Sequence, residues 1–183
     1  LCLLCCFHVF FSYTGTLNQN DGLEIGRGYE EDTHLNGYID SIMISNFSRY
    51  EADFEPNTDC SFLDQVLESR AECEVVYRDA PPPNVVLLMD FEDGRIVDLS
   101  HHGHVTIPDG NGVSVTAGGV IGAYSLYLDS STNLNNYVVV EEDAALEISG
   151  DFTIESWVAF VGPTAHSSYG GYQDLIASEN YAC

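Results

Sequence analysis

Lysine is absent from these 183 residues, and five arginines stand against 29 acidic side chains, for a formal net charge of -24. A surface of that sign repels phosphate backbones and anionic lipid headgroups, so it excludes nucleic acid and anionic membrane surfaces as partners. It attracts cations. Ca2+ is the first to consider because its ligands are carboxylate and carbonyl oxygens, although an acidic surface also simply keeps a protein soluble. Long apolar runs are missing too. The longest, LCLLCCFHVFF at residues 1–11, falls well short of the roughly 20 residues that a membrane-spanning helix needs. It has no basic segment before it and no small-residue cleavage signature after it. It reads as the apolar part of a signal peptide, a buried strand or a mispredicted exon end. Good helix formers are scarce. No P-loop, no G-x-S-x-G and no E-x-D-x-x-E segment occurs, so nucleotide hydrolysis, serine-hydrolase chemistry and glucanase chemistry have no carrier.

What the chain does contain points to strands. It is 45% hydrophobic, with 11 Tyr, nine Phe and 16 Gly, enough apolar surface for a core and enough turn residues to fold strands back on one another. The length allows one domain or two small ones. Six cysteines fall in two groups, Cys2, Cys5 and Cys6 against Cys60, Cys73 and Cys183. No second Cys pair or spaced His accompanies Cys2-x-x-Cys5, which leaves neither a zinc-finger nor a redox framework. Asn46-Phe47-Ser48 is a glycosylation sequon, usable only in the secretory pathway. The chain starts at Leu1 and ends at Cys183 just after an apparent strand, and both ends are expected to be cut from something longer.

Three segments in order, Leu23-Glu24-Ile25-Gly26-Arg27, then Leu35-Asn36-Gly37-Tyr38-Ile39-Asp40-Ser41-Ile42-Met43-Ile44-Ser45-Asn46, then Arg49-Tyr50-Glu51-Ala52-Asp53-Phe54-Glu55-Pro56, resemble the closing strands of a laminin G-like, concanavalin A-type domain. After a stretch containing Pro81-Pro82-Pro83, the order restarts. Val85 to Gly94 is similar to the opening strand of that family. Asp98-Leu99-Ser100-His101-His102-Gly103-His104 stands where the family has its D-x-S-G-N-G-H loop. Tyr124 to Asp129, Asn136 to Val140 and Asp151-Phe152-Thr153-Ile154-Glu155-Ser156-Trp157-Val158 resemble the strands that follow. The resemblance implies an all-β jelly-roll sandwich and three parts: residues 1–57 as the end of a first domain, 58–84 as a linker, and 85–183 as the beginning of a second. Residues 14–57 could instead complete the second half, as a circular permutation would.

Within the linker, Ser61 is placed to cap a helix, and Phe62, Leu63, Val66 and Leu67 recur at helical spacing, so a short helix is expected over residues 61–72. Such a helix would hold Cys60 and Cys73 about 20 Å apart, too far for a disulfide. Further on, Phe152 and Ile154 share one face of a strand while Trp157 is out of phase. Either both faces of that strand are covered or a bulge lies near Glu155. The continuously apolar run Tyr137 to Val140 suits a strand buried on both sides.

The resemblance also implies a calcium site in which opening-strand acids meet the closing-strand carboxylate. By position these are Asp90, Glu92 and Asp40, with Asp98 in the adjacent loop. His101, His102 and His104 could bind a transition metal, but a polar surface loop explains them as well. Asp109-Gly110-Asn111-Gly112 begins like a calcium loop, lacks the rest of that pattern, and reads as a turn. Glu147, Asp151 and Glu155, four apart, make no catalytic pair along one strand. The expected function is therefore non-catalytic binding of a glycan or glycoprotein outside the cell or at its surface, with neighbouring laminin G-like repeats and no membrane insertion. Tyr169 and Tyr172 are the candidate sugar-stacking residues, among available aromatics that include Tyr124, Tyr127, Tyr137 and Trp157. Two other roles stay open: a purely structural repeat of a large surface protein, or an accessory module of a glycoside hydrolase.

Overall fold

A computed structural model describes residues 6–17, 22–28, 34–48, 83–119, 122–131, 136–161, 173, 175–178 and 181–182; for 6–17, 178 and 181–182 the backbone alone is described. Among the described residues, alternating apolar residues between Gly, Asn and Asp turns produce eleven strands: β1 (Cys6–Leu17), β2 (Leu23–Ile25), β3 (Gly37–Ser45), β4 (Val85–Met89), β5 (Thr106–Asp109), β6 (Val113–Ala117), β7 (Tyr124–Leu128), β8 (Tyr137–Val140), β9 (Ile148–Phe160), β10 (Ile176–Ser178) and β11 (Tyr181–Ala182). The single helical element among the described residues is a 3-10 turn, Ala144–Leu146. The helix expected over 61–72 and the Cys60 and Cys73 positions lie outside the described residues. No helix among those described is long and apolar enough to cross a membrane.

The strands form two antiparallel sheets. One runs β1-β9-β3-β7-β6 with β4 paired to β3, and the other runs β11-β10-β2-β8-β5. Both sheets mix strands from before residue 58 with strands from after residue 84. β3 is hydrogen-bonded to β4, β7 and β9, and β2 lies between β8 and β10. One contiguous apolar cluster fills the space between the sheets. Ile39, Ile42, Ile44, Leu87, Met89, Leu126, Leu128, Phe152, Ile154 and Val158 come from the first sheet. Leu23, Ile25, Val138, Val140 and Ile176 come from the second. The architecture is thus all-β and sandwich-like, its inner faces meeting in one core.

The phase conflict around Trp157 is resolved on both strands. β1 runs against β9 without a break from Cys6↔Ala159 to Leu17↔Ile148, so β9 carries no bulge. Phe152, Ile154 and Val158 enter the core, Trp157 points to the other face, and both faces are buried. The irregularity sits on β3, where the register shifts between Asp40 and Ile42 opposite Trp157 and Ser156. The extra residue is Ser41, at φ 60°, a left-handed conformation that costs a non-glycine residue about 1–2 kcal/mol. The Ser156 hydroxyl donates to the Ser41 carbonyl at 2.9 Å and anchors the bulge.

Candidate functional site

The loop between β4 and β5 is organised by one carboxylate. Asp98 Oδ1 accepts from the backbone N–H groups of Leu88 and Ser100, both at 2.9 Å. Its Oδ2 accepts from the Ser100 hydroxyl at 2.7 Å and from the His104 backbone N–H at 2.9 Å. Oδ2 also lies 2.7 Å from His104 Nδ1. The Ser100 bond closes an Asx turn, the local reason an Asp-x-Ser sequence bends here. Gly103 then takes φ 59°, a conformation glycine adopts without strain. Its turn brings His104 back under Asp98. The Asp98 and His104 side chains are sealed from solvent, at 0% and 1% exposure. The His102 and His104 rings stack with centroids 5.5 Å apart, while His101 is exposed beside them.

Across from this loop runs the connection between β8 and β9. The Glu141 backbone N–H donates to the Val105 carbonyl at 2.9 Å, joining the start of β5 to the end of β8. Two residues later Asp143 caps the 3-10 turn, its Oδ1 accepting from the Ala145 N–H at 2.8 Å. The turn is pinned by Leu146, its buried residue. Asp143 Oδ1 thereby comes within 3.8 Å of His104 Nε2. The ligand atoms of His102, His104 and Asp143 all lie within 4.8 Å of one another. Among the described residues they form the one group of three or more His, Cys, Asp or Glu with ligand atoms so close. Nothing local in the sequence pointed to Asp143; what brings it to the histidines is the pairing of β5 with β8.

The four carboxylates expected to hold calcium are placed differently. Asp98 is saturated by the donors just described. Glu92 reaches to the turn before β7, where its carboxylate accepts from the Ala123 N–H at 2.9 Å and the Tyr124 N–H at 3.3 Å. This contact requires Gly122, because a Cβ there would fall 2.3 Å from the Glu92 carboxylate. Asp90 Oδ1 accepts from the Glu92 N–H at 3.2 Å. Asp40 is buried on β3 opposite Trp157. No three of these four bring their oxygens into one group. The β3–β9 pairing does set buried Asp40 on the same face as buried Glu155, two acids far apart in sequence that no scan of a single strand would couple.

Asn46 lies exposed in the bend after β3. Asp109 ends β5, and 110–112 form the expected turn. The Tyr137 phenol is pushed up from its ordinary value by burial first and by a hydrogen bond with Asp109, against the opposing pull of Arg27. The Arg27 guanidinium stacks 4.9 Å from the ring centroid. Tyr169 and Tyr172 lie outside the described residues. An aromatic pair that the sequence did not single out stands on the outer face of the first sheet. Tyr38 and Tyr127, paired across β3 and β7, stack with centroids 4.7 Å apart. Both are half-buried. Burial, followed by the Asp129 charge and Tyr38, raises the Tyr127 phenol. Compared with protein-family models, curated proteins and solved structures, the chain gives no significant match.

Proposed function

We propose that the chain is a non-catalytic extracellular binding module of the laminin G-like, concanavalin A-type kind, in which strands from before residue 58 complete the sandwich built by strands from after residue 84, and that it recognises carbohydrate on the outer face of its first sheet. The observation that carries the reading is the Tyr38–Tyr127 stack, half-exposed on a sheet face. Flat aromatic surface held rigid by cross-strand pairing suits the apolar face of a pyranose, and tyrosine adds a hydroxyl for the sugar's own hydroxyls. The exposed sequon at Asn46 fits a secretory chain. Calcium has less support, since the oxygens of Asp98 and Glu92 already accept from N–H and O–H donors.

A glycan array probed with the whole chain tests this. Selective binding to a set of related glycans is the expected result. Tyr38→Ala or Tyr127→Ala should weaken that binding by about tenfold, the equivalent of roughly 1.4 kcal/mol of stacking. Silence across the array would overturn the reading and favour a purely structural repeat. Binding that survives loss of both tyrosines would move the site elsewhere on the molecule.

A further inference from the structure

We infer that His102, His104 and Asp143 form a binding site for a divalent transition metal of the Zn2+ class. The three ligand atoms lie within 4.8 Å of one another, with His104 Nε2 3.8 Å from Asp143 Oδ1. Tetrahedral ligands about 2.0–2.1 Å from zinc sit about 3.3 Å apart. Small rotations of His102 and Asp143, both exposed residues, close that gap.

The fixed member of the set is His104. Its ring is sealed from solvent, and Asp98 Oδ2 lies 2.7 Å from Nδ1. That oxygen already accepts two other hydrogen bonds, so Nδ1 carries the ring proton and Nε2 presents a lone pair towards Asp143. Nε2 is buried and has no hydrogen-bond partner among the described residues. Such an atom costs about 1–3 kcal/mol unless something satisfies it, and a cation between His104 and Asp143 does so. Carboxylate–histidine–metal is the arrangement by which proteins fix the tautomer and aim of a ligating imidazole. Asp98 is accordingly a positioning residue here, with no oxygen to spare for the ion.

The donor set decides the class of metal. Two imidazole nitrogens and one carboxylate favour Zn2+, Cu2+ or Ni2+ over Ca2+ and Mg2+, which take oxygen. The net charge of -24 raises the local concentration of any cation. Three protein ligands leave a fourth position for water or for a donor from outside. The ion ties the loop leading into β5 to the β8–β9 connection, two segments otherwise joined near this point by the Glu141–Val105 backbone bond.

The test is calorimetric titration of the whole chain, freed of metal by a chelator, with ZnCl2. One tight site is expected. His102→Ala and Asp143→Asn should each weaken it by about tenfold or more, the scale on which ligand-shell changes act. His101→Ala, one residue along, should leave it unchanged, and thousandfold excess Ca2+ should not displace the zinc. His102→Ala alters an exposed side chain, so a folding defect does not blur the comparison. As a second measurement, Zn2+ should shift the imidazole nitrogen resonances of His102 and His104. Unchanged affinity in both variants, displacement by Ca2+, or unmoved His102 and His104 resonances would each overturn the assignment.

Discussion

Asp98 gathers more of the loop's structure than any neighbouring residue, so its removal is the sharpest test of the local reasoning. Five donors converge on its two oxygens: the N–H groups of Leu88, Ser100 and His104, the Ser100 hydroxyl, and His104 Nδ1. Asp98→Ala leaves all five without their acceptor. The Ser100 hydroxyl can turn wholly to the Val86 carbonyl, which it already reaches at 3.2 Å. Among the described residues the other four have no comparable alternative, and Leu88 and His104 are buried. At about 1 kcal/mol net per lost bond, and allowing for non-additivity, the cost is about 3–5 kcal/mol. In a chain of this size that lowers the melting midpoint by roughly 10 °C. Urea unfolding should show the same loss as a lower midpoint with unchanged slope, because the surface exposed on unfolding is unaltered. Asp98→Asn should cost less, about 1–3 kcal/mol, since its amide can donate to a His104 ring of the opposite tautomer while one or two backbone N–H groups lose their acceptor. An Asp98→Ala protein within about 1 kcal/mol of the parent would refute the view that this carboxylate holds the loop.

Gly37 lies where β3 meets β9, and a Cβ there would sit 2.2 Å from the Ala159 carbonyl oxygen; Gly37→Ala should cost about 3 kcal/mol by forcing two paired backbones apart, measured as a fall in melting midpoint. Tyr137 has its phenol raised by burial and Asp109. Below about pH 10 both folded and unfolded states hold the proton, and above it the unfolded chain releases it first, so stability falls as pH rises through the folded value. Tyr137→Phe should therefore melt with a smaller drop between about pH 9 and about pH 11 than the parent, and near-UV phenolate absorbance should lose one late-titrating tyrosine.

The strand pattern was legible because it is local. Alternation in Leu35–Ile44 and the apolar run at Tyr137–Val140 follow from side-chain period alone, and the Phe152–Trp157 pattern narrows to two readings, burial of both faces or a bulge. The Asp98–His104 contact is as local, its partners six residues apart, yet the sequence pattern places Asp98 at a calcium site and the histidines in a polar surface loop. What could not be read is everything decided by pairing between distant strands. The bulge that the Phe152–Trp157 pattern raised as one possibility lies not on β9 but on its neighbour β3, at Ser41. The stacked partner of Tyr127 is Tyr38, on a strand from the other side of the 58–84 stretch. Asp143 has no motif around it. It joins His102 and His104 because β5 and β8 are neighbours and because Leu146 draws the intervening turn into the core. The carboxylates singled out for calcium failed to converge for the complementary reason. Asp98 and Glu92 found backbone N–H donors within reach, and a carboxylate surrounded by amides is already satisfied.

The way β1 meets β9 also sets how the chain comes to be folded. The partner of Cys6 is Ala159, and the partner of Leu17 is Ile148. During synthesis at about 5–20 residues per second, the first strand waits many seconds before its neighbour exists. β3 likewise waits for β4, β7 and β9. Closing such loops costs entropy before any contact rewards it, which places the chain among slow, high-contact-order folders. Until β9 arrives, the early apolar strands have unpaired edges, and mutual repulsion between chains of net charge -24 opposes pairing of one copy with another.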